Sequence, residues 1–294
     1  MLGLSIVEIL AAMLVGLIGI TIIMQVYSLS EERKRTTTGT GDAQISGNIA
    51  IFTLERELRV AGFGMVSSAG NMLGCTVSAY DSTRAVVSDP TNGFPAMAPV
   101  IITPGAGSTP DSFIVVYGNS WSAAEPVAFI APAPRANAFP LRNAGGFQVG
   151  DIVFAHQGAT CHMAEVTGFT VGSLNSVEHV AGAAYSYTNI NGTVVNATAT
   201  HNDPGVGGTH PVDTKLYSMG RNPVVRQYYI DTSDAKLKTR TLFPYDAAQD
   251  PDGDGWTDME VADGIVGLKM QYGKGPEGSA LVWDSDPPTD WLQV

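Results

Sequence analysis

Residues 3–29 read GLSIVEILAAMLVGLIGITIIMQVYSL, and this apolar stretch decides the fold. Between Ile9 and Met24 the one polar residue is Thr21. At about 1.5 Å per residue, Leu4–Leu29 extends for about 39 Å, more than the ~30 Å hydrocarbon core of a bilayer. The stretch therefore predicts a membrane-spanning helix. A cleaved secretory signal is the alternative, but it requires a basic segment before the apolar run and a small-residue cleavage site after it, and the sequence has neither.

The segment after the apolar stretch, Ser30–Gly62, is polar but keeps helical spacing. Ile45, Ile49 and Phe52 recur at i, i+4 and i+7, which predicts one wide apolar face. Gly62 is a good C-cap, so we expect the helix to end there. Thr36–Gly41 contains poor helix formers and two glycines, which predicts a kink or a locally unwound stretch.

Beyond Phe63 the pattern changes to short β-rich runs separated by turn residues, in a chain of 294 residues with 33 Gly and 17 Pro. Two segments rich in Gly, Pro and Ala, Ser88–Pro110 and Ala131–Gly146, predict long loops. The predicted strands are Ser112–Tyr117, Asp151–Ala155, Met163–Val171, Val224–Ile230, Lys236–Leu242 and Ile265–Tyr272.

These patterns predict an α+β protein in which a long N-terminal helix packs on an antiparallel β-sheet body. The helix is expected over residues 4–62, with 4–29 spanning the membrane and 30–62 amphipathic. The β-rich body is expected over residues 63–294.

Composition and motifs exclude several functions. The net charge of −12 argues against nucleic acid as a partner, because such binders carry clustered Lys and Arg. The sequence has no G-x-S-x-G, H-E-x-x-H or P-loop pattern, so it supports no enzymatic activity. The five histidines have no metal-type i, i+4 spacing, and we expect them in surface loops.

One ionisable residue, Glu8, interrupts the start of the apolar stretch. An unpaired carboxylate at membrane depth costs at least several kcal/mol, so Glu8 either lies at the headgroup interface or has a functional partner. The residues Gly3-Leu4-Ser5-Ile6-Val7-Glu8 resemble the G-F-T-L-x-E processing motif of type IV pilins and type II secretion pseudopilins.

That resemblance implies a cut by a prepilin peptidase between Gly3 and Leu4, so that residues 1–3 form a leader and Leu4 becomes a methylated N-terminus. It also implies that Glu8 pairs with the N-terminal amine of an adjacent subunit in the filament core. This pair would set the axial register of neighbouring subunits during assembly. Leu4 stands where the family usually has Phe. Family leaders usually carry Lys or Arg, so we expect further residues upstream of Met1.

Along most of its length the sequence is similar to PilW-type minor pilins. The matching stretches are Leu54–Gly64, Ser112–Gly118, Gly150–Gly168 and Val261–Gly273. The family closes with a further strand after a D-W-x-Q-V segment, so we expect more residues after Asp290–Val294.

The resemblance implies a minor pilin of the type IV pilus, in the tip or priming complex. Its partners would be minor and major pilins, the inner-membrane assembly platform, the prepilin peptidase and the membrane. It would be a single-pass inner-membrane protein before assembly and part of the extracellular pilus afterwards. Two alternatives stay open: a pseudopilin of a type II secretion system, and a calcium-stabilised tip adhesin.

The two cysteines, Cys75 and Cys161, are separated by 86 positions on the side of the membrane to which the body would be exported. Oxidising conditions there favour a disulfide, so we expect the two to be bonded. The alternative is two buried free thiols.

A second cluster has the spacing of a calcium loop, with oxygen donors at relative positions 1, 3, 5 and 9 and Gly at position 6. Position 12 holds Val261 instead of a bidentate Glu, so Glu260 or Asp263 would have to complete the shell. A solvated acidic turn is the alternative. The expected Ca²⁺ ligands are Asp250, Asp252, Asp254, the carbonyl of Trp256, Asp258, Glu260 and Asp263.

Overall fold

The structure is a computed structural model that describes residues 5–82, 96–120, 125–170, 175–205, 207–243, 257–276, 278–288 and 291. The described residues form one helix, α1 (Ile6–Val60), followed by short strands. The strands in chain order are β1 (Val66–Ser67), β2 (Gly70–Asn71), β3 (Thr76–Ser78), β4 (Val100–Thr103), β5 (Ser112–Tyr117), β6 (Val127–Ala128), β7 (Ala133–Pro134), β8 (Ala138–Leu141), β9 (Ile152–Gln157), β10 (Thr160–Glu165), β11 (Gly168–Thr170), β12 (Asn175–Glu178), β13 (Ala184–Thr188), β14 (Val194–Thr198), β15 (Thr209–His210), β16 (Lys215–Gly220), β17 (Val224–Asp231), β18 (Lys236–Phe243), β19 (Thr257–Asp263), β20 (Tyr272–Lys274) and β21 (Val282–Asp284).

The α1 helix is continuous over 55 residues. Gly62 follows its C-cap with φ +81°, a left-handed conformation that suits glycine, and the predicted end at this position is confirmed. The locally unwound stretch predicted over Thr36–Gly41 is wrong. Hydroxyl groups there donate to carbonyls four residues earlier, Thr36 to Glu32 and Thr40 to Thr36, so the threonines are satisfied inside the helix.

Most of the body is built as stacked sheets. The first sheet has the strand order β19-β18-β17-β5-β4 and is antiparallel throughout. The second sheet has the order β3-β10-β9-β16-β6, and its β3–β10 pair is parallel. The third sheet has the order β11-β12-β8. The expected α+β class with mainly antiparallel sheets is confirmed.

The layers are held together by apolar side chains on alternating strand positions. Ala50 and Leu54 of α1 pack on Ile230 and Leu237 of the first sheet. The opposite face of the first sheet packs on the second sheet, and the second sheet packs on the third. The core residues that join the first and second sheets include Ile114, Val116, Val225, Ile152, Phe154 and Met163. Those that join the second and third include Val153, Leu216, Phe139 and Val177.

Four of the six predicted strands are confirmed with shifts of no more than two residues at either end, namely those at Ser112, Asp151, Val224 and Lys236. The predicted strand Met163–Val171 is divided between β10 and β11. The predicted strand Ile265–Tyr272 is wrong, since β20 begins only at Tyr272. Residues 265–271 are instead irregular. The backbone N–H of Ile265 donates to the carbonyl of Ala235 in the β17–β18 turn at 2.8 Å, and the carbonyl of Leu268 accepts the backbone N–H of Asp111, just before β5, at 2.9 Å.

Both predicted long loops contain strands that sequence reasoning missed. The first includes β4, and its residues 88–95 lie outside the described residues. The second includes β7, which pairs with β15 in a small two-stranded sheet, and β8, which completes the third sheet. Pairing with distant strands, not local propensity, makes these short segments extended.

Candidate functional site

The N-terminal half of α1 is the first candidate site, because its apolar surface has no partner within the described protein. The helix is long and apolar enough to cross a membrane, with a mean hydropathy of 2.6 over its most apolar 18 residues and none of that window buried. Leu10, Leu14 and Leu17 are each more than 60% exposed. This segment is therefore not the core helix of the body, and it fits a single-pass membrane anchor.

Glu8 lies in the first turn of α1. Gly3 and Leu4, the expected processing residues, lie outside the described residues. The backbone N–H of Ser5 donates to the Glu8 carboxylate at 3.3 Å, and the backbone N–H of Val7 lies 3.4 Å from the Ser5 hydroxyl oxygen. This is a capping box, which suits a carboxylate at the positive end of a helix. Among the described residues, no cationic side chain forms an ion pair with Glu8. Its carboxylate is exposed and could accept a cation from outside the chain.

The apolar face predicted for the second half of α1 is divided in two by the structure. Leu54 packs on the first sheet, whereas Ile45, Ile49 and Phe52 face away from the body and are 61%, 49% and 68% exposed. We call these three residues the outer stripe. It begins about 24 Å along the helix from Leu29 at about 1.5 Å per residue, beyond the predicted membrane span.

A buried charge network fixes α1 to the first sheet, and sequence reasoning missed it. Glu57 is 3% exposed. Its carboxylate accepts a hydrogen bond from the Tyr117 hydroxyl at 3.0 Å and lies 3.5 Å from Nη1 of Arg226. Burial, together with the charge and hydrogen bond of Glu57, raises the pKa of Tyr117 to about 12. The network ties α1 to β5 through Tyr117 and to β17 through Arg226.

The predicted disulfide between Cys75 and Cys161 is confirmed. Their Cα atoms are 5.7 Å apart, and both residues are buried in the core between the first and second sheets. Cys161 lies on β10 and Cys75 immediately precedes β3, so the bond reinforces the short parallel β3–β10 pair.

The calcium prediction falls partly outside the described residues, which omit Asp250, Asp252, Asp254 and Trp256. The remaining three expected ligands lie on β19 and have protein partners. Asp258 accepts bonds from Nε and Nη2 of Arg240, both at 2.8 Å, and from the Tyr229 hydroxyl. Glu260 pairs with Lys236 at 2.5 Å, and Asp263 accepts the backbone N–H of Gly264. Within the part of the chain that the structure describes, no three acidic, His or Cys side chains are grouped to hold a metal.

We predict that the affinity of this loop for Ca²⁺ depends more on Asp252 and Asp254 than on Asp258. The Asp258 carboxylate is already held by Arg240, whose hydrogen bonds lower the pKa of Asp258. In isothermal titration, Asp252→Asn is expected to weaken Ca²⁺ binding at least tenfold, and Asp258→Asn by less than about threefold. Absence of Ca²⁺ binding by the unaltered protein at millimolar concentration would contradict the calcium prediction. Equal effects of the two variants would place Asp258 in the metal shell.

The expectation that all five histidines lie in surface loops is wrong for four of them, since His156 lies on β9 and three others are buried. His162, His179 and His210 are 6%, 2% and 1% exposed. They lie on or next to strands that pack the second sheet against the outer layers. Strands that are distant in the sequence bring the three histidines together inside the body.

Comparison with known proteins gives no family assignment: no family model, no curated protein and no solved structure matches this chain.

Proposed function

We propose that this protein is a minor pilin, a membrane-anchored subunit that assembles through α1 into a type IV pilus, in its tip or priming complex. The observation that carries the proposal is the division of α1 into an uncovered apolar half and a half that is fixed to the β body. The processing-like residues Gly3–Glu8 stand at the start of the uncovered half. A helix of this kind can anchor the subunit in a bilayer and later pack among other helices.

The length of α1 supports the same proposal. Its 55 residues extend for about 82 Å, of which a bilayer covers about 30 Å. The outer stripe of Ile45, Ile49 and Phe52 lies in the remainder and needs a partner in the aqueous phase. Packing against the helices of neighbouring pilins would bury both the membrane segment and this stripe in one filament core.

In this proposal the prepilin peptidase cuts between Gly3 and Leu4 in the inner membrane. Glu8 then accepts the N-terminal amine of a neighbouring subunit. Because a buried carboxylate without a cation is costly, the pair favours the one axial register in which amine and carboxylate meet. The β body lies on the outside of the filament.

The proposal is tested by deleting the gene and, in the same strain, counting sheared surface pili and assaying secreted exoproteins. Loss of pili with normal secretion is the expected result. Loss of secretion with pili intact would assign the protein to a type II secretion system instead. No change in either would favour the adhesin.

In the same strain, complementation with Glu8→Ala is expected to lower the amount of this subunit in sheared pili about a hundredfold. Breaking a buried ion pair costs about 3 kcal/mol or more, which is about a hundredfold in an association constant. Cleavage before Leu4, read by mass spectrometry of the membrane fraction, is expected to continue. The matched control is Glu31→Ala, which removes an exposed carboxylate 3.7 Å from Arg35 on the same helix. Equal incorporation of the two variants would remove Glu8 from the assembly mechanism.

A further inference from the structure

Three buried imidazoles meet where the second sheet packs on the outer strands. His162 is on β10 and His210 is on β15, and their ring centroids are 5.5 Å apart. His179 directly follows β12, and its backbone N–H donates to the carbonyl of Asn137 at 2.8 Å. We call these three residues the histidine cluster. It joins strands from three different sheets.

The surroundings of the histidine cluster are aromatic. His179 stacks on Phe139 with 3.9 Å between ring centroids. His210 meets the rings of Phe139 and Phe129 edge-on, at 5.7 Å and 5.8 Å. The two phenylalanines belong to the apolar core between the second and third sheets. Neutral imidazoles suit this layer, whereas imidazolium ions lose their hydration there.

The ring nitrogens of the cluster have few protein partners. Among the described residues, Nδ1 of His162, Nε2 of His179 and both ring nitrogens of His210 are buried without a hydrogen bond. Because both ring nitrogens of an imidazolium carry a proton, protonation of any of the three rings would leave a buried N–H donor and a positive charge with no acceptor. Each such group costs about 1–3 kcal/mol, and more when it is charged.

The charged groups around the cluster oppose protonation on balance. The Arg135 guanidinium, next to β7, acts on His162 and His210, while the Asp203 carboxylate favours the charged form of His162 only. Two further carboxylates stand close in the chain to cluster residues and have other partners: Glu165 accepts from the Tyr185 hydroxyl and the backbone N–H of Thr200, and Glu178 accepts from the Thr170 hydroxyl. The three histidines also repel one another once charged.

We propose that the histidine cluster is an acid-sensitive latch, which holds the third sheet and the β7–β15 pair on the second sheet when neutral and releases them when protonated. Release would expose Phe129 and Phe139 to water. The first sheet, the disulfide-linked strands β3 and β10 and the half of α1 that packs on the body would stay folded.

The direction of the pH dependence follows from burial, which lowers the pKa of His162 and His210 to about 4 and that of His179 to about 3. An unfolded histidine titrates near about 6.5. The opened layer therefore binds more protons than the closed layer between about pH 6.5 and about pH 4. The latch is at full strength above about pH 6.5 and weakens as the pH falls through this window.

Hydrogen exchange of the full chain in detergent micelles, followed by mass spectrometry, tests the latch. After correction for the intrinsic exchange rate, peptides covering residues 131–147, 175–180 and 207–214 are expected to exchange at least about tenfold faster at about pH 5 than at about pH 7. Peptides of β5 and β17 are expected to show no such change. A uniform response of all peptides, or none, would overturn the proposal.

Two variants separate the latch from general acid sensitivity. The double variant His179→Phe/His210→Phe keeps the aromatic packing and is expected to lose most of the acid response. Arg135→Gln removes a positive charge that lowers the pKa of His162 and His210, so the acid-induced increase in exchange is expected to be smaller. This variant still tests the latch if the double variant does not fold. His201→Gln, outside the cluster, is the control and should respond like the unaltered protein. An unchanged response in Arg135→Gln and in any folded double variant would contradict the latch.

Discussion

Loss of the Cys75–Cys161 disulfide is expected to lower the free energy of unfolding by about 4–5 kcal/mol. The bond joins residues 86 positions apart, and closing so long a loop removes many conformations from the unfolded chain in the chain-entropy account. It also supports the edge strand β3, whose parallel pairing with β10 covers three residue pairs. We expect β3 to be the first strand of the second sheet to detach.

The measurement is urea unfolding of the detergent-solubilised full chain, comparing the unaltered protein with Cys75→Ala/Cys161→Ala. The unaltered protein in a strong reductant is the control, and it should approach the variant, since both lack the cross-link. A difference of less than about 1 kcal/mol between oxidised protein and variant would show that the unfolded chain is not constrained in this way.

The main features of the fold could be predicted from sequence where a local pattern carries the information. The apolar run that begins at Leu4 has the length and composition of a spanning helix, and the run Ser112–Tyr117 is rich in β-branched residues. Both elements could therefore be predicted. The disulfide could be predicted because the chain has two cysteines, which allow one pairing. The strand prediction for residues 265–271 is wrong, since this segment is irregular and packs Ile265, Leu268 and Met270 on the clusters that the first sheet forms with α1.

The candidate sites were less predictable, because they depend on which strands meet. His162 is separated by one residue from the buried Ala164 on the same face of β10, a signal that could have placed it inside. No comparable signal marks His179, which follows β12, or His210, which lies on the two-residue strand β15 and pairs with the distant β7. Glu57 had a clearer signal: it stands seven residues after Ala50 and three after Leu54, on the helix face that packs on the sheet.

The buried carboxylate of Glu57 gives the second large prediction. Glu57→Ala is expected to lower the free energy of unfolding by about 3–5 kcal/mol, because it leaves Arg226, whose side chain is 28% exposed, and the Tyr117 hydroxyl without their shared acceptor. Glu57→Gln should cost less, since the amide oxygen still accepts from Tyr117. The matched control is Glu55→Ala on the same helix, which removes an exposed ion pair with Arg59 and should change stability by less than about 1 kcal/mol.

A second readout distinguishes loss of the charge network from loss of packing alone. The charge of Glu57 contributes, after burial, to the raised pKa of Tyr117, so in a folded Glu57→Gln protein that pKa should fall below about 12 while burial still holds it above 10.0. Ultraviolet titration of the tyrosines, compared with a Tyr117→Phe reference, measures this shift. In urea unfolding, the double variant Glu57→Ala/Arg226→Met should be destabilised by less than the sum of its single variants, because the second change removes the charge that the first left unpaired. An additive result with an unchanged tyrosine titration would mean that Glu57 and Arg226 do not interact in the folded protein, and that the rotation of α1 on the first sheet is set by Ala50 and Leu54 instead.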